Sequence, residues 1–298
     1  SRPWNGSFGG YDRPPTPDLA RRDIAFSSDF SSCGTSTAVS LPCMFAGYGQ
    51  ANHSYNNFLS RENLVDVFSH AGYRVEWIDN NTGHLKIGDR IPSRMIKPAD
   101  DPVACARGEC DDAAFLPMLD KILAEISEDT VLVYHQIGSH GPAYYLRYPE
   151  GFRPFAPDCR VPEFDKCTQG EIINAYDNTI AYTDLMLASI IDRLAAADGR
   201  VTSAMLYVSD HGESLGENGL YLHGAPSFMA PAEQTHVPMV VWLSQAYQRA
   251  FGVTTECLRR GVGAPHSHDN FFHTALGLAD TETAERDAGL DLTQPCRP

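Results

Sequence analysis

The chain lacks any long apolar run. No window approaches 18 consecutive apolar residues, so nothing in it reads as a membrane-spanning helix. Basic residues are scarce: Lys and Arg total 23 against 38 Asp and Glu, for a formal net charge of -15. With no basic run, nucleic acid is not an expected partner. There is no C-x2-C pair and no His cluster beside the cysteines, which argues against a thiolate metal site. Internal repeats and low-complexity segments are missing too, so a stacked-repeat architecture is not expected. Finally, there is no start methionine and no signal-peptide pattern. Ser1-Arg2-Pro3-Trp4 reads like the interior of a protein, and any anchor or signal is expected upstream of it.

What is there begins with 298 residues, 43% of them hydrophobic, enough to bury a full core. Six of the eight cysteines fall into close pairs, Cys33/Cys43, Cys105/Cys110 and Cys159/Cys167, with Cys257 and Cys296 left near the C-terminus. Short loops closed by paired cysteines suit disulfides in an oxidising compartment, so a periplasmic or secreted protein is expected. Cys257–Cys296 is the pair that remains.

The pattern that organises the chain is a strand ending in polar ligands. Ala204 to Val208 is apolar throughout and reads as a buried strand, which stops at Asp210-His211-Gly212-Glu213. Asp and His in succession are metal-ligand chemistry, and a Gly behind them permits a sharp turn. A strand followed by an ordinary polar turn fits the same residues. Val131 to Tyr134 repeats the motif, leading to His140 before Gly141-Pro142, and His223 precedes Gly224. Ile24 to Phe26 leads to the hydroxyl cluster Ser31 to Ser40. That cluster reads either as a helix cap or as a nucleophile at a helix N-terminus, where free N–H groups favour a phosphate. Tyr73 to Ile78 alternates as a strand and ends at Asn80-Asn81-Thr82.

Helical spacing marks three segments: Leu116 to Ile126, 171–197 and Phe271 to Ala279. A fourth helix is expected after a Ser60 cap, closed by Gly72. Residues 84–112 read as irregular. Strands alternating with helices predict an α/β fold, a doubly wound and largely parallel sheet with helices on both faces. In such a sheet the strand ends carrying Thr37, His140, Asp210, His211 and His223 lie on one edge.

Four blocks, Cys33-Gly34-Thr35-Ser36-Thr37-Ala38, Asn80-Asn81-Thr82, Gly138-Ser139-His140-Gly141-Pro142-Ala143-Tyr144 and Ser209-Asp210-His211-Gly212-Glu213-Ser214-Leu215-Gly216-Glu217-Asn218-Gly219, stand in a recognisable order. From about residue 1 to about 280 the chain resembles the lipid A phosphoethanolamine transferases, zinc enzymes of the alkaline phosphatase/sulfatase superfamily that confer polymyxin resistance. The resemblance implies that residues 1–298 form one periplasmic catalytic domain, a monomer on the periplasmic face of a bacterial inner membrane. A transmembrane N-terminal domain, absent from this chain, would supply the membrane attachment. Phosphatidylethanolamine would be the donor and lipid A the acceptor.

Carried over by motif, Thr37 resembles the family's nucleophile, and Thr37, Asp210 and His211 resemble its zinc ligands. His140 and His223 resemble the pair that binds phosphoethanolamine or a second zinc, so one or two Zn²⁺ are expected. Asn81 and Thr82 match substrate-contacting positions. Lys86 stands where members carry a cysteine-flanked Lys, here without the cysteine. Glu213 and Glu217 read either as orienters of His211 or the metal from behind or as ordinary solvated loop glutamates. The family's remaining zinc ligand is a Glu in a Gly-Glu-Thr-x-Arg motif that aligns just ahead of Ser1-Arg2. The same metal chemistry would serve a sulfatase, a phosphodiesterase or a transferase to another envelope glycan. A non-catalytic periplasmic binding domain is the reading of a different class.

Overall fold

The computed structural model describes residues 17–27 and 29–298. The opening loop and the Ser1-Arg2 register therefore lie outside the described residues. Ten strands follow in order: β1 (Ile24–Ser27), β2 (Phe30–Ser31), β3 (Arg74–Asp79), β4 (Ser93–Met95), β5 (Thr130–His135), β6 (Ala204–Val208), β7 (Ser214–Leu215), β8 (Tyr221–Leu222), β9 (Met239–Leu243) and β10 (His266–Ser267). The α-helices are α1 (Thr37–Met44), α2 (Tyr55–Leu59), α3 (Leu64–His70), α4 (Phe115–Glu125), α5 (Gln169–Ala196), α6 (Ala232–Thr235), α7 (Gln245–Phe251), α8 (Thr255–Gly261) and α9 (Asp269–Leu278).

Two three-stranded sheets carry the site. In one, β3 lies between β4 and β5 and is parallel to both, with Arg74 opposite Thr130 and Asp79 opposite His135. In the other, β9 lies between β1 and β6 and is antiparallel to both. The α/β class is as expected: the first sheet is parallel and so is the β2–β10 pair, while β9 is antiparallel to both its neighbours and β7 to β8. All five residues of β9 are buried apolar side chains, and such a run is compatible with either strand direction. After β6 the chain passes through β7, β8 and α6 before it returns antiparallel as β9.

Side chains alternate across both sheets, and each face is covered. Val75 and Trp77 of β3, with Val131 and Val133 of β5, pack with α1, α3 and α9 through Leu41, Leu64, Val65 and Leu276. Ile78, Leu132 and Tyr134 point the other way, onto Phe115 and Leu119 of α4 and Ile190 of α5. In the second sheet, Met239, Val241 and Leu243 meet Tyr247 and Leu258 of α7 and α8. Val240 and Trp242 meet Leu187 and Ile191 of α5. This period-two partition is what two buried faces require. Each fully buried side chain of this size contributes about 1.5–3 kcal/mol relative to exposure.

Helix boundaries follow local chemistry. Thr168 and Glu171 form a reciprocal capping box at the start of the 28-residue α5. Helix α3 is capped by Asn63, whose side chain accepts from the Val65 N–H while Asp66 accepts from the Asn63 N–H. Ser60 instead terminates α2, which corrects the expected cap. Gly72 has φ +91, the left-handed conformation that ends α3 without a Cβ penalty. The stretch 84–112 is not wholly irregular, since it supplies β4.

The cysteines pair as their spacing suggests. Cys33–Cys43, Cys105–Cys110 and Cys159–Cys167 are disulfides, and so is Cys257–Cys296, which leaves no free cysteine among the described residues. Cys159–Cys167 closes the loop that leads into α5, where both sulfur-bearing residues pack with Tyr144 and Ile172. Among the described residues no helix is long and apolar enough to cross a membrane.

Candidate active site

Thr37 is the first residue of α1, and its hydroxyl oxygen lies 3.2 Å from His211 Nε2. Ser36, at the cap position, makes no side-chain cap bond, so the hydroxyls here are not consumed in closing the helix. His211 Nε2 in turn lies 3.7 Å from Asp210 Oδ2, a buried oxygen with no hydrogen-bond partner. Burial pushes the Asp210 carboxyl up. His211, the neighbouring Thr37 hydroxyl and the imidazoles of His135 and His268 outweigh it and hold the group below the usual carboxylate range.

Three histidines are aligned by the same device. His211 Nδ1 sits 3.0 Å from the Gly212 carbonyl, and His140 Nδ1 sits 2.7 Å from the Gly141 carbonyl. A carbonyl only accepts, so both Nδ1 atoms carry a proton, and the Nε2 of His211 is left facing the Thr37 hydroxyl. His223 Nδ1 lies 3.1 Å from Glu213 Oε1. The rings converge, with centroids 4.7 Å apart for His140 and His223 and 4.3 Å for His211 and His223. Their titrations diverge. Burial lowers His140, whereas the hydrogen bond to Glu213 raises His223.

Glu213 anchors this pair. Its carboxylate accepts from the Gly141 N–H at 3.1 Å, from His223, and from the Tyr144 hydroxyl at 3.2 Å. Burial pushes the carboxyl up, but the His223 hydrogen bond and charge hold it below its ordinary range. Gly141 is needed for the approach. A Cβ there would meet Leu222 Cδ2 at 2.6 Å and the Tyr144 ring at 2.9 Å.

The loops are tied to one another as well. Thr35 Oγ1 donates to the Ala225 carbonyl and the Gly224 N–H donates to the Thr35 carbonyl, each at 2.7 Å. Buried Gln234 joins Ser214 to Ala225 at 2.9 and 3.0 Å. His268 spans the nucleophile loop and the ligand loop. Its Nδ1 accepts from the Cys33 N–H, and its Nε2–H donates to the Ser209 carbonyl, both at 3.0 Å. Burial pushes this imidazole down to about 4, so it is neutral. Sequence reasoning missed His268 and Gln234. Ser267-His268-Asp269 does carry the same strand-to-helix signal that marked Thr37 and Asp210.

Thr37, Asn81, His140, Asp210, His211 and Glu213 line one cleft of about 1090 Å³ that runs between β5 and β6. Asn81 hangs from the β3 end: its N–H donates to Asp79 and its Nδ2 to the Gln136 carbonyl, leaving a buried Oδ1 unpartnered. Thr82 is exposed on the same turn. Lys86 lies at the surface 3.4 Å from Asp89, outside the cleft lining. The six cysteines singled out from the sequence, Cys33, Cys43, Cys105, Cys110, Cys159 and Cys167, also lie outside that lining. Cys159 and Cys167 reach the site only indirectly, by packing beside the Tyr144 that donates to Glu213.

The donor set at Thr37, Asp210 and His211 fits a divalent cation. Zinc bonds of about 2.0–2.2 Å at tetrahedral angles place ligand atoms about 3.3–3.6 Å apart. The 3.2 and 3.7 Å separations bracket that range, and the partnerless Asp210 oxygen is an acceptor in want of a charge. Cys33, Cys43 and Asp269 also cluster, but the two sulfurs are joined as a disulfide and offer no thiolate.

A threonine hydroxyl at a helix start, facing an Asp-His pair at the carboxyl edge of an α/β sheet, defines a class. The chain belongs to the sulfatase family, whose profile matches residues 1–281. Within that family it is 41% identical to phosphatidylethanolamine transferase Mcr-1 of Escherichia coli, over 94% of this chain and 52% of that protein. The soluble domain of lipooligosaccharide phosphoethanolamine transferase A from Neisseria meningitidis superposes with a TM-score of 0.93 at 40% identity, covering 97% of this chain and 88% of that one. The integral membrane form of that Neisseria protein gives 0.94 at 40% identity, over all of this chain and 56% of its own. The chain spans about half the length of the curated relatives it matches.

Proposed function

We propose that this chain is the catalytic part of a zinc-dependent phosphoethanolamine transferase at the periplasmic face of a bacterial inner membrane. It takes the head group from phosphatidylethanolamine onto Thr37 and passes it to a phosphate of lipid A. The observation that carries this reading is the Thr37 hydroxyl set 3.2 Å from His211 and beside an unpartnered Asp210 oxygen. The names of the relatives, which specify phosphatidylethanolamine and lipooligosaccharide, support the donor and the acceptor.

Zinc held by Thr37, Asp210 and His211 would favour the alkoxide and offset phosphoryl charge. The chain's own groups supply the rest. Thr37 Oγ1 bonds to phosphorus as the bond to the diacylglycerol oxygen breaks, leaving phosphoethanolamine-threonine. His223, raised by Glu213, is the group suited to hold a proton for the departing oxygen. His140, lowered by burial, stays neutral and directs Nε2 into the same space. Histidines whose surroundings push their titrations apart mark an acid and a neutral partner. In the second half-reaction, the lipid A phosphate oxygen replaces Thr37 on phosphorus. The unpartnered Asn81 Oδ1 supports a role for it in receiving the donor's ammonium, and we assign Thr82 and Lys86 to the outer approach.

The test is mass spectrometry of the protein and of lipid A after the full-length protein meets donor lipid. Thr37 should gain a phosphoethanolamine group. Thr37→Ala should lose the adduct and the transfer together, and Thr37→Ser should retain part of both, since it keeps the hydroxyl. Transfer by Thr37→Ala would mean that the acceptor attacks the donor directly.

A further inference from the structure

Nine large hydrophobic side chains are exposed among the described residues; Met95 and Val103 stand apart, and the other seven fall in two segments. Val39, Tyr55 and Leu59 belong to the segment that begins the nucleophile helix. Leu220, Tyr221, Phe228 and Met229 belong to the loop that carries His223. Phe228 is 87% exposed and Met229 63%. The two segments flank Thr37: Val39 is two residues beyond it, α2 packs on α1, and the 224–225 backbone is bonded to Thr35.

Charge distribution repeats the pattern. The stretch 30–60 contains no Asp, Glu, Lys or Arg, and neither does 218–232. At the chain's 20% charged content, these stretches would ordinarily carry about six and three such residues. The two stretches that flank Thr37 thus carry no Asp, Glu, Lys or Arg on a molecule of net charge -15.

We infer that this rim docks on a zwitterionic phospholipid surface, with Phe228 and Met229 entering the headgroup–acyl boundary beside Thr37. This inference rests on the proposed reading, in which the donor's head group must reach Thr37 while its acyl chains stay in the bilayer. Withdrawing those chains into water would cost about 0.8 kcal/mol for each CH₂, so the protein must come to the lipid. Stretches without Lys or Arg gain little from anionic lipid, and the net charge repels it. Contact by apolar side chains in a charge-free rim is what a zwitterionic surface accepts.

Fluorescence decides it without turnover. The emission of Trp4, Trp77 and Trp242 in the parent chain provides the baseline, and Phe228→Trp adds a reporter at an exposed position. With vesicles of phosphatidylcholine and phosphatidylethanolamine, the added emission should shift to the blue and be quenched by lipid brominated near the glycerol. No shift, or a shift that requires anionic lipid, overturns the inference. In the full-length protein in bilayers, an added indole already blue-shifted and unquenched by brominated lipid means that protein covers the rim, which also overturns it.

A kinetic arm separates this from the proposed function. Phe228→Ser with Met229→Ser should raise KM for vesicle-borne donor about tenfold or more, while kcat for a short-chain, monomerically dispersed donor stays within about twofold. Equal loss on both donors overturns the docking role. If the parent gains no Thr37 adduct from either donor, the transferase reading fails, and the vesicle fluorescence still tests the docking by itself.

Discussion

Glu213 shows how one side chain sets the character of two others. It receives hydrogens from Gly141, His223 and Tyr144, and its carboxyl is almost wholly out of solvent. Its hydrogen bond raises His223 and its charge adds to the effect, because an anionic acceptor favours the imidazolium. Glu213→Gln keeps the volume and an acceptor but removes that charge. In the chelator-treated chain, the His223 titration followed by NMR should then move to lower pH, and the rate should fall if His223 delivers the proton. Loss of charge-assisted bonds in a buried site should also cost about 1–3 kcal/mol in urea unfolding. A His223 titration that stays put would detach Glu213 from the chemistry and leave it a structural anchor for the 141–144 turn.

At the level of elements, a disulfide loop clamps the segment that presents His140. Cys105–Cys110 closes a loop whose Arg107 donates to the backbone carbonyls of Tyr145, Leu146 and Tyr148. From the same loop Glu109 pairs with buried Arg147, whose Nε donates to the His140 carbonyl at 2.9 Å. Arg107→Ala therefore frees three carbonyls at once. Hydrogen exchange should accelerate across 140–148 with β6 and β9 unchanged, whereas a loss of protection spread over the whole chain would show that the loop supports global stability instead. The cysteine spacing made this loop legible in the sequence, as it did the Cys159–Cys167 loop, and the apolar runs did the same for β6, β5 and α5. What the loop clamps was not legible, because its partners are backbone carbonyls 38 to 41 residues away. The direction of β9 and the choice of Asn63 over Ser60 were hidden for a related reason. Several residues near an end satisfy local rules, and tertiary contacts select among them. His268 is the extreme case: its ligand-like signal was present, but its role lies in a bond to Cys33 across 235 positions.

For the molecule as a whole, two buried groups on opposite sides of the sheet make stability respond to acid in opposite senses. His268 titrates near 4 rather than 6.5 because burial disfavours its charged form. Its unfolded form binds a proton first, so its contribution is fully present above pH 6.5 and is lost as pH falls toward 4. Asp184 is raised to about 6 by burial, although the Asp18 and Leu19 N–H groups donate to it. Its folded form binds a proton first, so acidification from 6 through its ordinary 3.8 stabilises the fold. Each shift corresponds to about 3 kcal/mol, so the two nearly cancel in the parent. The variants should separate them. His268→Gln should flatten the acid loss and leave Asp184 in charge, so that Tm rises, or falls less, between pH 6.5 and 4 relative to the parent. Asp184→Asn should do the reverse and steepen the loss over the same range. Thermal unfolding of the chelator-treated proteins at closely spaced pH values measures both. Parallel curves for all three proteins would mean that neither group is buried in the charge state assigned to it. The predicted divergence would place a neutral His268 between the nucleophile loop and the ligand loop throughout the working pH range, so that its two hydrogen bonds hold Thr37 and Asp210 in register.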